Sequence, residues 1–124
     1  MKSAVLALSI LAIAAPALGR DKPIPEATPD GKAVDCIWLG DLRESKVRSD
    51  GVIDFVTRGS KVYRNTLDSE CPQLGFEERF SYKVSTSQLC STDLITVLTS
   101  PGLSQGATCG LGQFQPVKLV KATR

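Results

Sequence analysis

Four cysteines, Cys36, Cys71, Cys90 and Cys109, sit in a chain of only 124 residues that contains no histidine. Their fate decides what the chain can fold into. Successive cysteines are 35, 19 and 19 residues apart, whereas structural zinc sites bring their ligands in close pairs, so a metal frame is not indicated. No Cys-x-x-Cys motif is present to lower a thiol pKa for redox work. An even set of cysteines in a short chain of an oxidising compartment reads as disulfides. Four cysteines allow three pairings. Chain proximity favours Cys71 with Cys90, and a domain whose ends meet favours Cys36 with Cys109; Cys36 with Cys71 plus Cys90 with Cys109 is the alternative.

The start of the chain supplies the compartment. Met1 and Lys2 precede residues 4–15, AVLALSILAIAA, an apolar run well short of the ~20 residues a transmembrane helix needs. Pro16 interrupts it, and Ala17-Leu18-Gly19 offers small residues to a signal peptidase, with Ala15-Pro16-Ala17 as the second choice. Residues 1–19 are therefore expected to be a signal peptide, leaving a periplasmic or secreted product with no transmembrane segment. Loss of Lys2 takes the 15 basic side chains to 14 against 13 acidic ones. A near-neutral balance argues against nucleic acid as a partner, because affinity for phosphates grows with each one neutralised.

Residues 20–33, RDKPIPEATPDGKA, hold three prolines and few large apolar groups, which predicts an extended or mobile leader that touches the domain near Ile24. Residues 34–124 are expected to form one β-rich domain. CIWL opens it and places Trp38, the only tryptophan, in the core rather than on a ligand platform. VIDFVTRGSKVYRNTL then gives two β-rich runs around Gly59-Ser60, a pair suited to a two-residue hairpin turn. That register would set Val56 opposite Tyr63 and Asp54 opposite Asn65, with Arg64 facing Phe55.

Farther on, DSECPQLGF reads as a loop. FEERFSYKV reads as a strand with Phe80, Tyr82 and Val84 on one side, while STSQLC is too short to assign. LITVL is a compact strand bounded by Ser100-Pro101-Gly102, and GLSQGATCGLGQFQPVKLV suggests a winding connection before a last strand near residues 115–120. Strand and turn alternate throughout. The expected fold is mainly β, a small antiparallel barrel or sandwich stapled by two disulfides.

With these pieces in order, DCIWL, VYRNTLDSECPQLGF, SQLCSTDLITV and ATCGLGQFQPV resemble a family of short exported bacterial proteins of unknown function. That family's pattern has a first cysteine before aliphatic residues, then Tyr-Arg-Asn-x-Leu, Cys-Pro-x-Leu, Leu-Cys-x-x-Asp-x-Ile and Cys-x-Leu-Gly-x-Phe-x-Pro. The matching positions here are Cys36, residues 63–67, 71–74, 89–95 and 109–116. The resemblance implies an exported domain with the same cysteine frame. It brings no reaction and no catalytic residue.

Little in the chain points to catalysis. A nucleophilic cysteine needs a base, and beside Cys90 there is only Asp93, too weak for a thiol of ordinary pKa. Asp93 reads instead as a turn acceptor ahead of LITVL. Glu77 and Glu78, as neighbours on a strand, would face opposite sides and form a solvated edge. Ser45-Lys46 and Ser60-Lys61 lack the serine-x-x-lysine spacing, and no Gly-x-Ser-x-Gly or phosphate loop occurs. Tyr63, Arg64 and Asn65 are the groups a recognition surface uses; their alternative roles are core, cover for Phe55 and partner of a buried turn. Two functions follow. One is a non-enzymatic envelope module, without cofactor, that binds a protein or envelope component, or inhibits a secreted hydrolase. The other is a small hydrolase using Asp54, Glu78 and Asp93.

Overall fold

Ten strands, one α-helical turn and two 3-10 turns follow one another along the chain in the computed structural model, which describes residues 23–120. The expected signal peptide lies outside those residues. The strands are β1 (Ala27–Pro29), β2 (Cys36–Trp38), β3 (Leu42–Ser49), β4 (Val52–Thr57), β5 (Val62–Thr66), β6 (Phe80–Tyr82), β7 (Gln88–Cys90), β8 (Leu94–Thr99), β9 (Ser104–Gly110) and β10 (Phe114–Leu119), and the α-helical turn α1 is Leu74–Glu77. All pairings of named strands are antiparallel, in sheets ordered β1-β10-β5-β4-β3, β6-β8-β9 and β2-β7. The fold is mainly β and sandwich-like, with no closed barrel.

The core lies between these sheets. Ile53 and Phe55 of β4 and Phe114 of β10 share one buried cluster with Ile37, Leu89, Ile95 and Val97 from the two smaller sheets. Phe55 stands edge-on to Phe114 at 5.4 Å and to Phe80 at 6.3 Å between ring centroids, so one aromatic side chain joins two sheets.

The β4–β5 hairpin differs from its expected register by one residue. Phe55 pairs with Tyr63, Asp54 with Arg64 and Ile53 with Asn65. The loop holds three residues, because Thr57 N–H donates to Lys61 O at 2.8 Å. Gly59 (φ 75°) and Ser60 (φ 63°) take left-handed conformations to close it. A two-residue turn on Gly59-Ser60 would have set Arg58 directly against Lys61, and like charges facing across strands are destabilising. A slip of one residue exchanges the two faces of a strand. Asn65 therefore turns inward while Arg64 lies opposite Asp54.

Asn65 is fully buried. Its Nδ2 donates to Gly112 O and its Oδ1 accepts from Gly112 N–H, both at 2.8 Å. Gly112 must lack a side chain, since a Cβ there would run into the carbonyl oxygen of Thr66. This pair of hydrogen bonds locks the chain entering β10 onto the end of β5.

All four cysteines are in disulfides, but the pairing is Cys36 with Cys90 and Cys71 with Cys109. Neither the expected pairing nor its alternative is found. Cys36 and Cys90 are direct cross-strand partners in the β2–β7 ribbon, while Cys71, just before α1, reaches Cys109 on β9. The ends of the domain do meet, through backbone: Val34 and Phe114 exchange hydrogen bonds of 2.9 and 2.8 Å, and β1 pairs with β10.

Further expectations are corrected. Trp38 is 57 % exposed, because residues alternate along β2: Ile37 turns inward opposite Leu89, so Cys36 and Trp38 share the outer face. In the described part of the proline-rich leader, residues 23–33, residues 27–29 form an edge strand of the main sheet rather than a segment outside the domain. Asp30 N–H donates to Pro116 O and Val120 N–H to Glu26 O, both at 2.8 Å, and an edge strand tolerates Pro29. The stretch 85–90 ends in strand β7, and the winding connection after Gly102 contains strand β9.

Two outcomes are expected. Peptide mapping of the unreduced protein should recover Cys36–Cys90 and Cys71–Cys109 with no alkylated thiol; in the chain-entropy picture each crosslink stabilises by at most about 4 kcal/mol. Asn65→Leu should lower the unfolding free energy by at least about 2 kcal/mol, since it strands two buried backbone groups. Gly112→Ala should cost no less, with both read from urea midpoints.

Candidate functional site

The outer face of β4 carries a charge that solvent does not reach. Asp54 is fully buried between two strand neighbours. Arg64, opposite it on β5, donates from Nε to Oδ1 at 2.8 Å and from Nη2 to Oδ2 at 2.9 Å; Arg48 of β3 donates from Nε to Oδ2 at 2.9 Å. Burial alone would raise the Asp54 pKa, but the hydrogen bonds of Arg64 and Arg48, with their charges, outweigh it and hold the carboxyl below its ordinary value. Asp54 in turn raises the pKa of Arg64. Arg64 Nη2 also donates to Pro25 O at 2.9 Å, which ties the leader across the ion cluster.

Beside this cluster the end of β3, the leader and α1 enclose an open cleft of about 1050 Å³. Ile24, Pro72 and Phe76 bring apolar surface to it, and Arg48, Asp50 and Glu70 bring charge. The α1 wall is fixed at several points. Leu74 is fully buried, and Cys71 is bound both to Cys109 and, through its N–H, to Asp50 O at 2.8 Å. Gly75 N–H donates to Asp50 Oδ1 at 2.7 Å. A Cβ on Gly75 would lie 3.0 Å from that same oxygen and 3.1 Å from Asp50 N, so glycine permits the close approach. Phe76, next in sequence, is driven outward and is 75 % exposed.

The residues singled out by sequence do not assemble into one site. Tyr63 and Arg64 lie on opposite faces of β5, and Asn65 is buried against Gly112. Tyr63 is half-buried, with the Lys61 ammonium 5.3 Å from its ring centre. Asp93 Oδ2 accepts from Cys90 N–H at 2.7 Å, the turn role expected of it. Glu77 closes α1 instead of lying on a strand, and its Oε1 accepts from Ser100 N–H and Oγ at 3.2 and 3.1 Å. Of the three hydrolase carboxylates, Asp54 is enclosed by arginines, Asp93 is bound in the β7–β8 turn, and Glu78 is exposed at the cleft.

Ile24, Asp50, Glu70 and Phe76 were not legible as site residues. They come from three separate segments, and the glycine next to Phe76 reads as loop chemistry when the contact with Asp50 is unknown. Among the described residues no group of three or more histidine, cysteine or carboxylate side chains is placed to hold a metal ion, and no helix is long and apolar enough to cross a membrane. No family model matches the chain, and neither a curated protein nor a solved structure matches it.

Removing the Asp54 carboxylate leaves two guanidinium groups packed without their partner. Asp54→Asn should therefore cost about 3 kcal/mol at neutral pH. Because the folded-state pKa lies below the unfolded one, this contribution is complete above about pH 4 and is lost as pH falls through the lowered value. Urea midpoints of wild type and Asp54→Asn should converge on acidification from about pH 4 downward.

Proposed function

We propose that the protein is an exported, non-enzymatic module that acts by binding another protein or envelope component in the cleft beneath Phe76. The observation that carries this reading is Phe76 itself: a large aromatic side chain 75 % exposed on a turn held by a disulfide, a buried leucine and the Asp50 contacts. Exposed aromatics on rigid supports are typical binding anchors, because little conformational freedom remains to be lost on association. Two disulfides in so short a chain favour an oxidising compartment, periplasmic or extracellular. The resemblance of the cysteine-centred motifs to an exported four-cysteine family agrees with that placement. The hydrolase alternative is disfavoured by the separate structural engagement of Asp54 and Asp93.

A photo-crosslinking residue at position 76 should give a discrete adduct in periplasmic or culture extract, competed by unmodified protein, whereas the same residue at exposed Leu103 should give none. Hydrolysis of an envelope substrate that is lost in both Glu78→Gln and Asp93→Asn, with the fold retained, would overturn the reading in favour of an enzyme.

A further inference from the structure

The cleft has a charge as well as an apolar wall. Asp50 and Glu70 contribute carboxylates, while Arg48, the guanidinium that lines it, already donates to Asp54. An acidic or phosphorylated ligand would meet two carboxylates with the nearby cation engaged. A neutral ligand would desolvate the Glu70 carboxylate without compensation, whereas Asp50 Oδ1 already accepts from Gly75 N–H. A cation gains both the carboxylates and, where it passes over the ring, the Phe76 face.

The shape favours a chain over a compact molecule. A smaller cleft of about 300 Å³ shares Arg48 and Glu78 with the larger one and runs beside Ser45, Lys46 and Val47 of β3. Among the described residues β3 is the terminal strand of the five-stranded sheet and pairs only with β4. The two clefts thus follow a terminal strand, the place in a sheet where an extended peptide can add. Lys46, on the smaller cleft, lies 3.7 Å from Glu44, which places the demand for positive charge at the larger one.

Building on the binding reading above, we infer that the occupant is an extended basic peptide segment, with an apolar side chain against Phe76 and Ile24 and a lysine or arginine beside Asp50 and Glu70. Its backbone runs along β3.

The test uses the purified full-length protein and three fluorescent peptides that share a central leucine and differ only in its flanks, which are lysine, serine or glutamate. Anisotropy titration should show the lysine peptide binding at least about tenfold tighter than the glutamate one. High salt should weaken it, and Phe76→Ala and Glu70→Lys should each weaken it about tenfold or more, with unfolding midpoints unchanged. Equal affinity for all three peptides would overturn the basic specificity while leaving a binding cleft. Affinity insensitive to both substitutions would overturn the site. If no peptide binds but the position 76 crosslink still forms, the occupant has another chemistry and the inference fails alone; if neither occurs, the binding reading fails with it.

Discussion

The pairing of Asp54 with Arg64 across β4 and β5 sets which face of the hairpin every neighbouring side chain occupies. With that register, Ile53 and Phe55 enter the core beside Asn65, and Asn65 fixes the approach to β10 through Gly112. Shifted by one, Arg64 would stand beside Phe55 in the interior and Asn65 would lose Gly112. Burial makes the charge cluster expensive to break, which is why it can specify register. A buried ion pair is a weak source of net stability but strongly penalises arrangements that leave one member alone.

Much of the scaffold was readable from local chemistry. LITVL and the two arms of VIDFVTRGSKVYRNTL have the β-branched composition of strands, and Asp93 two residues after Ser91 is a turn acceptor by its chemistry. Other elements were hidden for identifiable reasons. β3, LRESKVRS, is an edge strand whose charges protect it from unwanted pairing and erase the alternation that would reveal it. β9 carries Gly106, where a Cβ would come within 3.0 Å of Thr99 Cγ2; the residue that permits the strand's close approach is the one that makes it look like a loop. The hairpin register is not local: a self-contained Gly59-Ser60 turn would leave Arg58 opposite Lys61, a cost that only the pairing of the two whole strands reveals. The disulfide pairing follows register in the β2–β7 ribbon, which separation along the chain does not encode.

Position, more than composition, separates the candidate site from the rest of the surface. Trp38 and Phe76 are both exposed aromatics, but Trp38 lies on the outer face of a two-stranded ribbon, opposite Gln88. Phe76 borders a concavity bounded by three chain segments. The leader contributes to that concavity only because β1 is paired with β10 and Pro25 is held by Arg64. The same contacts that cover Asp54 therefore complete the wall at Ile24, joining the stability of the sheet to the shape of the cleft.

The disulfides interleave: the Cys36–Cys90 loop contains Cys71, and the Cys71–Cys109 loop contains Cys90. In a chain oxidised from its N-terminus onward, Cys36 and Cys71 are the first two thiols to become available together, and any bond between them is non-native. Neither correct bond joins neighbours in the order of emergence. Correct oxidation must then either wait until β2 and β7 have paired or proceed through thiol–disulfide exchange from a mispaired form. In either route the native bonds follow the register of the strands and not the order in which the thiols appear along the chain.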